Sequence, residues 1–173
     1  MAVPTRVSLP FDPIRRAAEL WRARWGGRSQ VAAMASATSV MRVQQLLIGD
    51  FDAIVGRHGL TFARYEALVL LVFSRHGQLP MSKVGERLMV HPTSATNIIQ
   101  RLAAQGFVER RPNPEDGRGT LAVISDAGRE VMEAATTDLV AAGFGLGALT
   151  PAEHEELFRL LRKVRVAAGD FHE

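Results

Sequence analysis

The sequence predicts a mainly α-helical protein that carries one small β-hairpin. Apolar residues recur at three- and four-residue spacing along most of the 173-residue chain, which is the pattern of helices with one buried face. The exception is segment 107–125, where FVERR and TLAVIS, rich in β-branched and apolar residues, flank the turn-forming stretch PNPEDGRGT. Together these observations predict helices on both sides of a hairpin.

Composition excludes several classes of protein. Hydrophobic residues make up 47% of the chain and charged residues 23%, which is typical of a soluble globular protein. Cysteine is absent, so a disulfide scaffold is excluded. The N-terminal MAVPTRVSLPFDP lacks the apolar run of a signal peptide, and no stretch approaches the ~20 apolar residues of a membrane span. We therefore expect a cytoplasmic protein with no membrane partner.

Charge is distributed unevenly along the chain. The net charge is +3, but residues 126–173 carry nine acidic groups against five basic ones, so the preceding part is clearly basic. A protein with one basic and one acidic part is suited to placing one face against phosphate.

Two helices are predicted in the first 59 residues. Asp12-Pro13 is a good helix start, because Asp caps free N–H groups and Pro is tolerated in the first turn. Gly26-Gly27 ends this helix, and a longer one is predicted from Ser29 to His58. The apolar stripe of the longer helix consists of Met34, Ala37, Val40, Met41, Leu47, Phe51, Ile54 and Val55.

The next helix is predicted to be the most buried one. Thr61 is its predicted N-cap, and the helix is expected to run to about Arg75. The apolar run ALVLLVF at 67–73 indicates a helix that is surrounded by protein.

Two short helices and the hairpin follow. SKVGERLMV predicts a helix of about two turns from Ser82, and HPTSATNIIQRLAAQG predicts another, with Pro92 in its first turn and Gly106 at its end. A short helix, a turn, a helix and a hairpin in that order form a winged helix-turn-helix, whose second helix enters the major groove of DNA.

Two further helices complete the chain. Ser125 is the predicted N-cap of a helix that continues through Leu139 to Phe144. The sequence Thr150-Pro151-Ala152-Glu153 is a capping box, which predicts the start of a last amphipathic helix.

The second helix of the short pair has a face suited to DNA. We predict that Ala95, Ile98, Ile99 and Leu102 are buried. The remaining side presents hydroxyls, amides and a guanidinium, on Thr93, Ser94, Thr96, Asn97, Gln100 and Arg101. Asn and Gln pair with adenine, Arg pairs with guanine, and hydroxyls near a helix N-terminus reach phosphate. Residues 87–108 contain no acid. A helix face that is simply exposed to solvent would show the same pattern, but the hairpin that follows this helix favours DNA binding.

The stretch VHPTSATNIIQRLAAQGFVERRPNPEDGRGTLAVISDAGRE resembles the recognition helix and wing of the MarR family of bacterial transcriptional regulators. The resemblance covers residues 60–130 and is strongest in RLAAQGFVERR, NPEDGRG, LAVIS and the Ser-x-x-Gly helix start. The family's wing carries an Asp-x-Arg pair, here Asp116 and Arg118. The resemblance implies that Arg118 enters the minor groove and that Asp116 orients it. It also implies that the six polar residues of the second helix of the short pair, the reading helix, face the major groove or its phosphates.

The resemblance also implies an assembly and a mode of regulation. The family is dimeric through interleaved terminal helices, which implies dimerisation segments at 1–59 and 129–173 around a DNA-binding lobe at 60–128. Many members release DNA when a small aromatic or phenolic acid binds between these regions. We therefore expect a ligand-responsive repressor that binds a pseudo-palindromic operator in double-stranded DNA as a homodimer, without a cofactor.

Four residues are candidates for an effector pocket, namely Trp21, Trp25, Met41 and Tyr65. Trp21 and Trp25 lie four apart on one face of the first predicted helix, where they form either an aromatic wall or a packing surface against the dimer core. Packing is the commoner explanation. The small-residue run AAMASATS at 32–39 either lets helices approach closely or leaves a cavity.

Catalysis is the least favoured class of function. Among the five histidines there is no H-x-x-x-H pair, and the chain has no thiol, no Gly-x-Ser-x-Gly elbow and no phosphate loop. We expect no catalytic residue and no metal site. A winged helix used for protein–protein interaction remains the alternative, and salt-dependent binding to mixed duplex DNA separates it, because counterion release makes DNA binding weaken steeply with salt.

Overall fold

The computed structural model describes residues 8–114 and 116–172; the side chains of Ser29 and Arg118 lie outside this description. In this part of the chain there are seven α-helices and one three-stranded antiparallel sheet, which confirms the predicted fold class. The helices are α1 (Pro13–Trp25), α2 (Arg28–Val55), α3 (Phe62–Val72), α4 (Met81–Arg87), α5 (Pro92–Ala104), α6 (Asp126–Ala141) and α7 (Pro151–Ala167). The strands are β1 (Gln78–Pro80), β2 (Val108–Asn113) and β3 (Asp116–Ile124).

Helix α1 begins and ends where the sequence predicts. The Oδ1 atom of Asp12 accepts hydrogen bonds from the N–H groups of Ile14 at 2.9 Å and Arg15 at 3.2 Å. Gly26 ends the helix with φ +67°, a left-handed conformation that glycine adopts without steric cost.

Helix α2 is long, apolar and largely uncovered in the single chain. It ends at Val55, three residues before the predicted end, because Gly56 begins a 3₁₀ turn. Phe51 and Val55 are buried, whereas Met41 in the middle of the predicted apolar stripe is 59% exposed. By length and composition, segment 30–58 is apolar enough to cross a membrane, with a mean hydropathy of 1.2 over 18 residues, which corrects the expectation that no stretch approaches this limit.

Helix α3 is the centre of the hydrophobic core. Tyr65, Ala67, Leu68 and Leu71 are buried, and the helix packs against α2, α5, α6 and β3. It ends at Val72 rather than near Arg75, and Phe73, predicted as part of the apolar run, is 84% exposed. Phe73 is the C-cap residue, so it lies beyond the last turn that faces the core.

The sheet contains one strand that the sequence does not reveal. Its order is β1-β3-β2, and the three residues of β1 pair with Leu121, Ala122 and Val123 of β3. Three residues are too few to produce a recognisable alternation of apolar and polar side chains, so β1 is visible only through its partner strand.

The hairpin turn is tighter than the sequence predicts. The sequence predicts a turn between FVERR and TLAVIS, but the strands continue into it, with Pro112 opposite Thr120 and Asn113 opposite Asp116. The register shifts between Pro112 and Asn113, as in a β-bulge. Pro112 lies on the edge strand β2, where a missing N–H is tolerated. Glu115 lies outside the described residues.

The start of α6 is locked against the beginning of the hairpin. The Ser125 hydroxyl caps the helix by accepting from the Gly128 N–H at 3.0 Å, and it donates to the Gly106 carbonyl at 2.7 Å. A Cβ atom on Gly128 would lie 2.1 Å from the carbonyl oxygen of Phe107, so this position has no room for a side chain. Close packing therefore explains the Ser-x-x-Gly start.

Helix α6 ends earlier than the sequence predicts, whereas α7 begins at the predicted capping box. Helix α6 ends at Ala141, before Phe144, which the prediction had included; Phe144 lies in a 3₁₀ turn with φ +48°. The capping box of α7 is present as predicted, since the Thr150 N–H donates to Glu153 at 2.8 Å and the Glu153 N–H donates back to the Thr150 hydroxyl.

Candidate nucleic-acid interface

Helix α5 is anchored to the core along one side. His91 is its N-cap, with Nδ1 accepting from the Thr93 N–H at 3.3 Å. Ala95, Ile99 and Leu102 are buried as predicted. Ile98, also predicted to be buried, is half-buried: it packs against the core and at the same time lines a surface groove.

The opposite side of α5 presents most of the predicted DNA-contacting residues to solvent. Five of the six are exposed, namely Thr93, Ser94, Asn97, Gln100 and Arg101. Thr96 is half-buried, and its hydroxyl donates to the carbonyl of Pro92 at 3.0 Å, so its proton is already used within the helix. Amide and guanidinium groups that are exposed on one helix face are the groups that read base edges in a major groove.

A groove connects this face of α5 with the beginning of α3. It has a volume of about 280 Å³ and is lined by Thr61, Arg64, Asn97, Ile98 and Arg101. The Arg64 guanidinium donates to the Gln105 side chain at 2.8 Å and to the Thr61 hydroxyl at 3.3 Å. Sequence reasoning identified Thr61 only as a cap and did not identify Arg64, because the contact between these helices is not encoded in any local pattern.

The wing places Asp116 at the first position of β3. Asp116 is exposed, and a Cβ atom on Gly119 would lie 2.9 Å from its Oδ2 atom. Gly119 does not have a positive φ, so the close approach of this carboxylate, rather than a tight turn, explains the glycine. Residue 118 belongs to β3, and the predicted role of the Arg118 side chain falls outside the described part of the chain.

Two acidic groups near the interface, Glu109 and Glu86, are held by basic partners. In β2, both guanidinium nitrogens Nε and Nη2 of Arg111 donate to Glu109, at 3.0 and 2.7 Å. In α4, Lys83 Nζ lies 2.7 Å from Glu86, and this hydrogen bond lowers the pKa of the Glu86 carboxyl below its ordinary value. Helix α5 itself contains no acid, so its exposed face keeps its positive charge.

The four candidate effector residues are divided among three places. The Trp21 and Trp25 rings lie 4.7 Å apart and line a groove of about 350 Å³ with Gly26 and Gln30. Met41 lines a separate groove of about 270 Å³ between α1 and α2. Tyr65 is buried, and its hydroxyl lies 2.9 Å from the Thr136 hydroxyl. Within the described residues these four therefore do not share one cavity.

No set of metal ligands is assembled in the described ranges, where no group of three His, Cys, Asp or Glu residues lies close enough to hold an ion. His58 and Asp138 form a close pair, and His154 and Glu155 are exposed.

Comparison with known proteins assigns the family. A profile of the MarR family matches residues 58–119. The crystal structure of Sco5413, a MarR family transcriptional regulator from Streptomyces coelicolor, is 63% identical with a TM-score of 0.77, and the alignment covers 83% of this chain and 99% of that one. Sco3205 from the same organism, solved in complex with DNA, shares the fold, with a TM-score of 0.70 at 24% identity over 80% of this chain and 90% of that one.

A curated relative agrees over a shorter region. An HTH-type transcriptional regulator of Mycobacterium leprae, ML2140, is 38% identical over 66 residues, which is 38% of this chain and 46% of that protein. The chain therefore matches less than half the length of this relative. The extent and identity of the match to Sco5413, together with the helix-turn-helix and wing described above, show that this chain belongs to the MarR family of transcriptional regulators.

Proposed function

We propose that this protein is a transcriptional regulator that binds a pseudo-palindromic DNA operator as a homodimer and represses transcription until a small ligand releases it. The observation that supports this most directly is the face of α5, where Asn97, Gln100 and Arg101 are exposed together beside the wing. On the exposed side of a helix, these groups match the hydrogen-bonding edges of adenine and guanine.

The contacts divide into base reading and phosphate binding. Asn97, Gln100 and Arg101 read base edges, whereas Thr93 and Ser94, in the first turn of α5, bind phosphate through their exposed hydroxyl groups. At the wing, Asp116 orients Arg118 for entry into the minor groove. Thr96 contributes its methyl group and the acceptor lone pairs of its hydroxyl, whose proton is donated to the Pro92 carbonyl.

Sequence-specific binding is tested by selection from a pool of random duplexes. Repeated selection with the full chain should enrich one pseudo-palindrome with half-sites about 10 bp apart, and affinity should fall steeply as salt rises. Recovery of no preferred sequence, with equal weak binding to all duplexes, would favour the alternative of a winged helix that serves protein–protein interaction.

Dimerisation is supported by apolar side chains that the single chain leaves uncovered. Helices α1 and α7 contain no buried residue in the described chain, and Phe158 and Val164 of α7 are 63% and 67% exposed. A monomeric soluble protein rarely leaves so much apolar surface in contact with water. We assign residues 1–59 and 129–173 to the dimer interface and residues 60–128 to the DNA-binding lobe.

The assembly is tested by placing a charge in the proposed interface. Wild type should scatter light as a dimer at micromolar concentration, and Phe158→Asp should shift it toward monomer, because an unpaired carboxylate in an apolar interface is costly. Glu155→Ala, on the exposed polar side of α7, is the matched control. A wild-type monomer would contradict the proposal.

The groove beside Trp21 and Trp25 is the candidate effector site. Two aromatic faces favour a flat ligand, and the Arg24 guanidinium, 6.0 Å from the centre of the Trp25 ring, favours an acidic one. Benzoate and 4-hydroxybenzoate should release DNA from wild type but not from Trp25→Ala. Equal release from both proteins would place the effector elsewhere.

Two further properties complete the proposal. The protein acts without a cofactor and without catalysis. It works in the cytoplasm, where its DNA target lies, and the apolar surface of α2 is covered by the second subunit rather than by lipid.

A further inference from the structure

The groove between α3 and α5 contains positive charge that has no acidic partner. Arg64 and Arg101 both line it, and in the described part of the chain neither guanidinium forms an ion pair. None of the lining residues is acidic. A concave site with two unneutralised guanidinium groups is suited to an anion, because the fork geometry of arginine matches phosphate and carboxylate oxygens.

Arg64 is held in a fixed orientation by groups from both helices. Its Nη1 atom donates to Gln105, whose own side-chain nitrogen donates to the carbonyl of Gly59 at 2.9 Å. Its Nε atom donates to the Thr61 hydroxyl. The guanidinium is therefore positioned before any ligand arrives, which reduces the entropy lost on binding.

The same contacts place Arg64 in line with the reading face of α5. Asn97, Arg101 and Gln105 follow one another at four-residue spacing, so they share one side of the helix. Asn97 and Arg101 line the groove, and Gln105 binds Arg64. The surface that faces DNA thus continues past the end of α5 to the first turn of α3.

The amide groups of α3 do not account for anion binding here. The Phe62 N–H already donates to the Asp52 carboxylate at 2.6 Å, and the Arg64 N–H donates to its cap, Thr61. The two guanidinium groups therefore supply the positive charge that an anion would meet in this groove.

We propose that Arg64 binds a backbone phosphate of the DNA at this groove, beside Arg101 and next to the bases that α5 reads. This inference rests on the proposed function and adds a contact that does not depend on base sequence. Arg64 anchors the lobe on the duplex, and Gln105 is a positioning residue that acts through Arg64.

The test compares two duplexes of equal length, one enriched by selection and one of mixed sequence. Arg64→Ala should lower affinity roughly tenfold or more for both duplexes, and the salt slope should fall by about 0.9 per lost phosphate contact. Asn97→Ala should weaken only the enriched duplex. Arg75→Ala, which removes the same charge from an exposed site beyond the other end of α3, should change neither.

Uncharged replacements of single DNA phosphates identify the phosphate that Arg64 contacts. In a series of enriched duplexes, each with one phosphate replaced by an uncharged methylphosphonate, one position should weaken wild type but leave Arg64→Ala unaffected. Inorganic phosphate is the second probe. If it produces shifts at Arg64 in the NMR spectrum of the DNA-free protein while no methylphosphonate has an effect, the groove binds a free anion and the proposal is overturned.

Controls separate this inference from the proposed function and from misfolding. If wild type binds no duplex, both proposals fail; if wild type binds but Arg64→Ala keeps its affinity and slope, only this one fails. Should Arg64→Ala lower the melting temperature, Arg64→Gln replaces it, because it retains a donor for Gln105. Gln105→Ala should weaken binding less than Arg64→Ala and keep the wild-type salt slope, since the charge remains.

Discussion

His58 and Asp138 join the end of α2 to α6, with 2.8 Å between the imidazole Nε2 and the carboxylate Oδ2. Arg57 approaches the same oxygen at 3.3 Å. The hydrogen bond from His58, helped by the charge of Arg57, holds the pKa of Asp138 below the ordinary carboxyl value of 3.8. These residues connect a helix of the proposed dimer interface to the helix that follows the wing.

This pair predicts how stability depends on pH. A carboxylate with a lowered pKa stabilises the folded state fully above its unfolded pKa and loses that contribution as pH falls through the folded value. Folding stability should therefore decline below about pH 4, and Asp138→Asn should flatten part of this decline. Urea midpoints measured between pH 2.5 and 7 test it. Glu130→Gln, which removes a charge from an exposed site on α6, is the control, and an equal flattening in it would contradict the assignment.

Two glycines should respond in opposite directions to the same substitution. Gly128→Ala places a Cβ 2.1 Å from the Phe107 carbonyl and should cost about 1–3 kcal/mol or more, because backbone must move. Gly56→Ala meets nothing within 4 Å at φ −60° and should gain about 0.4–1 kcal/mol. Chemical denaturation of both variants provides the comparison, and a neutral Gly128→Ala would mean that α6 is not locked to the hairpin.

The reading face of α5 predicts variants that fold normally but bind DNA poorly. Asn97 and Arg101 are exposed, so replacing either with Ala should leave the melting temperature unchanged. Each loss of a base contact should cost roughly 1–3 kcal/mol and relax specificity at one position of the operator. Competition between the selected duplex and single-base variants measures this. Wild-type binding by both proteins would show that the face is wrongly assigned.

The wing predicts a smaller, charge-dependent loss. Arg118→Ala should weaken DNA binding and lower the salt slope by about one unit per wing, with little effect on the melting temperature. Arg118→Lys should restore only part of the affinity, because Lys lacks the planar fork. Asp116→Ala should weaken binding less than Arg118→Ala. Titrations at two salt concentrations decide this, and an unchanged slope for Arg118→Ala would make the tip an ordinary surface turn.

Local sequence signals were enough to predict the helices and several of their N-terminal caps. Asp12, Thr61, Ser125 and Thr150 each cap the helix for which they were predicted, because a cap depends on a few neighbouring residues. The buried side of α5 was largely predictable from helical spacing. The three residues of β1 were not, since a strand this short is defined by its pairing with β3 rather than by its own composition.

The candidate site was predictable only where it lies on one element. The exposed residues of α5 follow from periodicity, but the approach of Arg64 to Gln105, 41 positions away, depends on how α3 packs against α5. The positions of the candidate effector residues depend on packing in the same way. Trp21 and Trp25 meet because they are four apart on one helix, whereas Met41 and Tyr65 were grouped with them across elements and lie elsewhere.

Trp21 and Trp25 have a practical consequence, because they are the only tryptophans in the 173 residues. Their rings lie 4.7 Å apart on α1, so the intrinsic fluorescence of the whole chain, excited at the red edge of the absorption band, comes from a single spot. That spot is outside the winged lobe. The emission therefore reports changes around α1 without a label. It does not respond to a change at α5 unless that change also alters the surroundings of α1.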